Sequence, residues 1–401
     1  MKMRVENFLL FFLVTTFLIC INSFSFGASA RGVTNDTLKI GIILDQTGPA
    51  ANVSVPLTNA IKRYFRYINE QGGINGRKIK IIVEDDRYSI PMAIGAFKKL
   101  LFRDKILAMV GPTSSGSTIT LLRHIKKEKI PTMAIPPNEK TVLPLKRYVF
   151  GVFEVYPNTI KTIIDYMIQD LKPKNPRVAI VYPDNETGKL DLVPAIARLK
   201  HYKLKPLTKE VLNPGAIDAA PQVMVMRRSK INNIVLCGFL PQPAGVLLRE
   251  LKKFNVPASV FGNTAASSEE VMHMAKKAAK KYYAVSPFAS WYDNEEGVEF
   301  MRKVTLKYAP GTEKPYRGKL YTFGWAIATV LKEGISRSGK KIDGERLVTS
   351  VESIKDFDMK GISGLINFSS TNHKGMNSAK VYKAEPESGK FIPVTGWKVT
   401  K

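Results

Sequence analysis

Ile40, Ile42, Ile43 and Leu44 follow one another around Gly41 without a polar break, the pattern of a strand covered on both faces. Past the loop at residues 45–52 the spacing changes. Leu57, Ala60, Ile61, Tyr64, Phe65 and Ile68 recur at three and four residues, while Lys62, Arg63, Arg66 and Asn69 take the opposite face, which predicts an amphipathic helix. Gly72 and Gly73 stop it, and residues 78–83 read as the next strand. Strand, helix and strand in that order predict a parallel crossover. In open α/β sheets the loops at the carboxyl ends of the strands form the ligand edge, so residues 45–52 are the first place to expect a site.

The alternation continues along the chain. A helix is predicted over 91–101, a strand over 107–110 ending in the loop GPTSSGS, a helix with the stripe Ile119, Leu122 and Ile125, a strand over 131–135 and a strand over 148–155. A second series then begins with the helix stripe Ile160, Ile163, Ile164, Met167, Ile168 and Leu171 and the strand 177–182. It repeats the same grammar through strands near 206–212, 234–237 and 259–262, separated by helices near 192–199, 219–228 and 245–254. Helices over 295–307, 319–336 and 344–353 follow, and from Gly361 the tail turns to short strands at 365–368, 380–384 and 397–399. This order predicts an α/β protein of two doubly wound parallel-sheet lobes. Its 401 residues are too many for one small core and suit two such lobes.

The amino terminus reads differently. Lys2 and Arg4 precede an apolar stretch over 8–21, and Ala28-Ser29-Ala30 is an A-x-A cleavage signature, so residues 1–30 are expected to be a signal peptide and the mature chain to start near Arg31. The stretch is shorter than the roughly 20 residues a membrane-spanning helix needs. Cys20 leaves with it, which keeps Cys237 alone and rules out an intramolecular disulfide. The formal net charge is +27, and loss of Lys2, Arg4 and Glu6 lowers it by one. The doublets Lys126-Lys127, Arg227-Arg228, Lys252-Lys253, Lys276-Lys277 and Lys280-Lys281 sit beside apolar stripes and form no aromatic-interleaved groove, so no nucleic-acid partner is expected.

Motifs of catalysis and metal binding are mostly absent. His124, His201, His273 and His373 lie far apart without ligand spacing, and neither a Walker A sequence nor G-x-S-x-G occurs. Glu84-Asp85-Asp86 has the chemistry to bind a metal or do acid/base work, but acids at a strand end more often solvate or cap the following turn, which is the reading expected here. Ser114 and Ser115 are more informative, because GPTSSGS ends a strand and opens a helix, where hydroxyls and free N–H groups suit a carboxylate or another acceptor oxygen. Simple N-capping by Ser117 or Thr118 explains the same residues, and both roles fit one loop. Loops carrying Thr187, Phe239 and Thr264 in the second half would face this one if the two lobes closed, with Phe239 or Trp325 as an apolar wall.

IGIILDQTGPA, INEQGGINGRKIKIIVEDD, GPTSSGST, KIPTMAIPP, RVAIVY with its TG turn, VFGN at 260–263 and the block from EFMRKVTLKYAP to YTFGWAIATVLKEGI together resemble the type I periplasmic solute-binding proteins of the leucine/isoleucine/valine-binding family. The resemblance implies two lobes joined by three crossings near Phe153, Tyr283 and Lys360, with lobe 1 formed by 31–153 and 286–360 and lobe 2 by 154–285 and 361–401. It implies a non-enzymatic, monomeric periplasmic receptor without cofactor or metal, holding a small amino acid, amide or carboxylate for the permease subunits of an inner-membrane ABC importer. A sensory subunit signalling to a membrane receptor is the alternative. Ser115 matches the family serine that receives the ligand carboxylate, Pro137 and Asn138 fall on the backbone-contact loop, and Phe239 and Trp325 match aromatic contacts. Glu139 stands where a Thr or Ser is usual, Thr264 where the acid pairing with the α-ammonium is usual, and Val53 and Thr187 replace aromatic residues. An enclosed ammonium needs an anion. Either Glu139 supplies it, or the ligand is not an α-amino acid.

Overall fold

Burial on both faces of the first apolar run places it at the interior of a sheet: β1 (Thr37–Ile43) pairs in parallel with β2 (Lys78–Glu84) on one side and β3 (Ala108–Val110) on the other. The computed structural model describes residues 30–135, 138–310 and 318–400, so the expected signal peptide lies, apart from Ala30, outside the described residues. β4 (Thr132–Met133) and β5 (Val149–Phe150) complete an all-parallel sheet of order β2-β1-β3-β4-β5. The connecting helices are α1 (Ala51–Glu70), α2 (Ile90–Lys98), α3 (Ser115–Glu128) and the single turn α4 (Glu139–Val142). α1 buries Leu57, Ala60, Ile61, Tyr64 and Phe65, the face its spacing predicts. α2 is shorter than its periodicity suggests, because Lys99–Arg103 widens into a π turn. The strand expected over 148–155 shrinks to two residues for a different reason. Gly151 leaves the sheet to bond the tail, donating to the His373 carbonyl (2.9 Å) and accepting from the Gly375 N–H (2.7 Å).

The second series builds α5 (Tyr156–Asp165), β6 (Val178–Tyr182), α6 (Glu186–His201), β7 (Thr208–Val211), α7 (Ala220–Arg228), β8 (Asn233–Leu236), α8 (Pro241–Lys253), β9 (Ser259–Gly262), α9 (Glu270–Ala275) and β10 (Tyr282–Ser286). The chain then returns to the first sheet with α10 (Glu296–Tyr308), α11 (Lys319–Ser338) and α12 (Gly344–Glu352), and ends in β11 (Ser378–Glu385), β12 (Lys390–Pro393) and β13 (Lys398–Val399). The second sheet has the order β12-β11-β10-β9-β8-β6-β7, with β13 paired to β11. It is parallel from β10 to β7, but β11 runs antiparallel to both β10 and β12. The four-residue turn between β11 and β12 leaves no room for the crossover that a parallel neighbour requires, so that pair is a hairpin.

Each sheet has its own apolar filling. Ile40, Ile42, Val110, Leu331 and Val348 belong to the first core, which also takes in Ile362, Ile366, Phe368 and Met376 from the segment before β11. Val181, Leu236, Leu247 and Val260 cover one face of the second sheet, and Ile160, Ile163, Val235 and Val381 the other. Cys237 lies in that second filling, where burial pushes its thiol well up and keeps it inert. α11 packs on α1 at backbone distance, since a Cβ added to Gly324 would lie 2.2 Å from the Leu57 carbonyl oxygen. Three of the lysine doublets that look scattered in sequence, Lys252-Lys253, Lys276-Lys277 and Lys280-Lys281, meet around two shallow grooves on the outer side of α8.

Candidate functional site

The carboxyl ends of both parallel sheets point into one cavity. The end of β1 supplies Ala50 and Val53 through the start of α1, β2 supplies Tyr88, β3 supplies Thr113 and β4 supplies Ile135. From the other lobe come Tyr156 at the start of α5, Thr187 after β6, Gly238 and Leu240 after β8, and Thr264 and Ala265 after β9; Leu320 and Phe323 of α11 close the side. This is the ligand edge that doubly wound topology creates. As it stands the cavity is narrow: about 30 Å³ is open to water, inside about 480 Å³ of space between the lining atoms. A buried water needs roughly 10–15 Å³ on that measure, so a larger guest enters only if the lobes part.

Carboxylates hold the loops in place by capturing backbone N–H groups. Asp45 Oδ1 accepts from Thr47 (3.1 Å) and Gly48 (2.5 Å), and its Oδ2 from Ala50 (2.7 Å). Asp86 accepts from the N–H (3.0 Å) and hydroxyl (3.0 Å) of Thr113 and from the Tyr88 N–H (3.0 Å). Asp85 accepts from the Gln46 N–H (2.8 Å) and the Thr47 hydroxyl (2.6 Å), and Glu84 pairs with Lys99 at 2.7 Å. The acidic trio therefore ties loops together, as its position at a strand end suggested. Gly111, at φ +106°, passes so close to β1 that a Cβ would lie 2.1 Å from the Ile43 carbonyl oxygen. Gly238, at φ +62°, admits the start of α6 in the same way, with a Cβ only 2.7 Å from Gly188 Cα.

The predicted site residues divide. Thr187 and Thr264 line the cavity, and the Thr264 hydroxyl also contacts that of Thr159 (3.3 Å). Ser114 N-caps α3 by accepting from Ser117, while the fully buried Ser115 hydroxyl has no hydrogen-bond partner. Asn138 is buried and caps α4 through its bond from the Lys140 N–H (2.9 Å). Glu139, the first residue of that turn, faces solvent and is not in the lining, so it does not stand where an enclosed ammonium would be. Pro137 lies outside the described residues. Phe239 and Trp325 do not line the cavity either. Phe239 is packed inside the second core between the lining residues Gly238 and Leu240. Trp325 turns edge-on to Tyr64 of α1 with ring centroids 4.9 Å apart, because two residues advance a helix by about 200° and leave Phe323 on the cavity side. Sequence reasoning missed Tyr88, Tyr156, Thr113, Leu240 and Phe323. Tyr88, Thr113 and Leu240 carried a usable signal, since each lies within a few residues of a predicted strand end.

Polar contacts join the lobes around this cavity. The Tyr88 hydroxyl faces Thr187 and Asn185 across it, Asn52 approaches Glu270, and Lys140 pairs with Glu186 at 3.0 Å. The last pair is largely exposed and contributes little. Next to Leu320 the situation is different: Lys319 and Glu269, both fully buried, pair at 3.1 Å. Lys319 Nζ also sits over the rings of Tyr382 (4.1 Å) and Phe391 (3.9 Å), and Glu269 accepts from the Ser290 hydroxyl (2.6 Å) and the Lys319 N–H (3.0 Å). Burial lowers the Lys319 pKa, which the Glu269 charge opposes. Asp191, one helical turn beyond Thr187, accepts from the Gly238 N–H (2.8 Å) through Oδ2 and leaves Oδ1 unpartnered; burial pushes its carboxyl up to about 7.

Two α/β lobes whose strand ends enclose one pocket of hydroxyls and hydrocarbon define a two-lobed solute receptor. The chain belongs to the periplasmic binding protein family, whose profile matches residues 37–390, and members of this family carry substrates rather than transform them. It is 24% identical over 361 residues to the Leu/Ile/Val-binding protein BraC3 of Rhizobium johnstonii, covering 88% of this chain and 93% of that protein. An amino acid binding protein of Pseudomonas aeruginosa is 25% identical over 303 residues, 74% of this chain and 79% of that one. Among solved structures, a branched-chain amino acid ABC transporter protein from Thermus thermophilus with bound valine superposes with a TM-score of 0.84 at 19% identity, covering 92% of this chain and 98% of that one. A fatty acid ABC transporter substrate-binding protein from Thermomonospora curvata does so with 0.82 at 20% identity, covering 93% and 95%. These likenesses establish the fold.

Two outcomes test the electrostatics. Glu269→Gln leaves the buried Lys319 ammonium without its anion and is expected to cost about 3–5 kcal/mol in denaturant unfolding; a loss below about 1 kcal/mol would show that the pair is not buried as described. For Asp191 the folded pKa of about 7 exceeds the ordinary 3.8, so its contribution is complete below about pH 4 and is lost as pH rises towards 7. The melting temperature of Asp191→Asn should accordingly lack a pH-dependent decline worth up to about 4 kcal/mol in the parent chain. Parallel profiles for the two proteins would contradict the assignment.

Proposed function

We propose that the protein is a periplasmic receptor that closes two lobes on a small organic solute and presents it to the permease of an ABC importer. The observation that carries this reading is the cavity at the facing strand ends, lined from one lobe by Tyr88 and Thr113 and from the other by Thr187 and Thr264. Closure of this kind needs only that the ligand bind the closed form better than the open one. The lining offers hydroxyls from Tyr88, Tyr156, Thr187 and Thr264 and apolar contact from Val53, Leu240 and Phe323, while the Thr113 hydroxyl is held by Asp86 and the Asp45 N–H. Ser115, which opens α3 two residues after Thr113, is the proposed acceptor of a ligand carboxylate, with Ser114 and Asn138 shaping the rim rather than the floor.

We take the lobes as residues 31–153 with 286–360 and 154–285 with 361–401, the last crossing being drawn out because Ile362, Ile366, Phe368 and Met376 still pack on the first core. Export by removal of residues 1–30 and action as a monomer complete the proposal. Among the described residues no helix is long and apolar enough to cross a membrane.

A thermal-shift screen over amino acids, amides, short carboxylates and aromatic acids tests it. Binding at a hundred times Kd stabilises by about 2.7 kcal/mol, a shift of several degrees. Ser115→Ala should weaken a carboxylate ligand by roughly tenfold, as expected for one lost hydrogen bond to a charged group, and shrink its melting shift. An undiminished shift in that variant would remove Ser115 from the site.

A further inference from the structure

The cavity wall carries, among the described residues, hydroxyls and hydrocarbon but no ionised side chain. The carboxylates bonded to the wall are committed elsewhere. Both oxygens of Asp45 are held by N–H groups of the loop that ends in Ala50, and both oxygens of Asp86 by Thr113 and Tyr88. Glu139 faces solvent and Glu186 is paired with Lys140. Asp191 lies behind Gly238, fully buried, where the surroundings favour its neutral form. An α-ammonium enclosed here would shed its water without gaining an anion, which is the most costly way to bury a charge.

An anion meets the opposite surroundings. Ser115 opens a helix of 14 residues two positions from the lining residue Thr113, and its hydroxyl is wholly buried and without a partner. The first-turn N–H groups that Ser114 does not take and the positive end of the helix dipole lie at that same terminus. A chain of net charge +27 also draws anions towards itself at long range. We propose that the cavity takes a small carboxylic acid with an apolar body and no α-ammonium group. This rests on the reading of the cavity as the binding site of a solute receptor.

The test compares acids that differ only in the amino group: 4-methylpentanoate with leucine, 3-methylbutanoate with valine, and 3-phenylpropanoate with phenylalanine, by calorimetry on the mature chain. At least one acid should bind, and each acid that binds should exceed its amino acid by on the order of 100-fold, the effect of leaving a desolvated charge unpaired. Amino acids that bind as tightly as their acids would overturn the inference while leaving the receptor function intact. If Asp191→Asn then abolished that binding, the ammonium partner would be Asp191. Failure of every pair, together with failure of the wider thermal-shift panel, would overturn the receptor function itself. Thr264→Asp places a carboxylate in the wall and should reverse the preference towards the amino acids. A variant that melts as a folded protein and keeps the parent preference would also overturn the inference, and if it does not fold, the ratios measured on the parent chain decide.

Discussion

A cleft that closes on itself can retain only the charges it can pair. This constraint organises the interface between the lobes. Lys319 is wholly buried there and is balanced by Glu269, two aromatic rings and the hydroxyl that Ser290 donates to the same carboxylate. Asp45 and Asp86 are buried as well, and they spend their oxygens on backbone N–H groups of the loops they hold. What remains for the cavity wall is uncharged. The selectivity proposed for the site follows from the same accounting of charge that keeps the lobes together.

The fold makes this arrangement by bringing strand ends, rather than strand faces, to the site. Parallel order in both sheets sends every β-to-α loop to one edge, and the two edges face each other. Close approach of these loops then depends on positions without a side chain: Gly111 beside β1, and Gly238 against the start of α6. α11 belongs to the first core yet reaches the cavity at its start, so Leu320 and Phe323 link the site to the helix that packs on α1.

Much of the scaffold was legible in the sequence because its signals are local. The run from Ile40 to Leu44, the helical spacing from Leu57 to Phe65 and the glycine pair after it specify β1, α1 and the turn without reference to anything distant. Thr187 and Thr264 were legible as cavity residues because they follow strand ends. Trp325 and Phe239 were not, since a helix buried on nearly all sides gives no sign of which aromatic faces the ligand, and a chain at a strand end alternates between core and cleft within one residue. The Lys319 to Glu269 pair was equally hidden. Its members are 50 residues apart, and nothing in their neighbourhoods shows that both leave water. The antiparallel edge at β11 escaped because a tail of short strands is compatible with either direction until its hairpin is seen.

The most direct measurement is anomalous diffraction from crystals of the mature chain grown with a bromine-substituted carboxylic acid that binds in solution. The bromine peak is expected between the lobes, within contact of Tyr88, Thr187 and Thr264, with the carboxylate turned towards Ser115. A peak on the outer grooves beside α8, or a ligand whose polar end lies against Asp191 rather than Ser115, would contradict an uncharged cleft that selects acids.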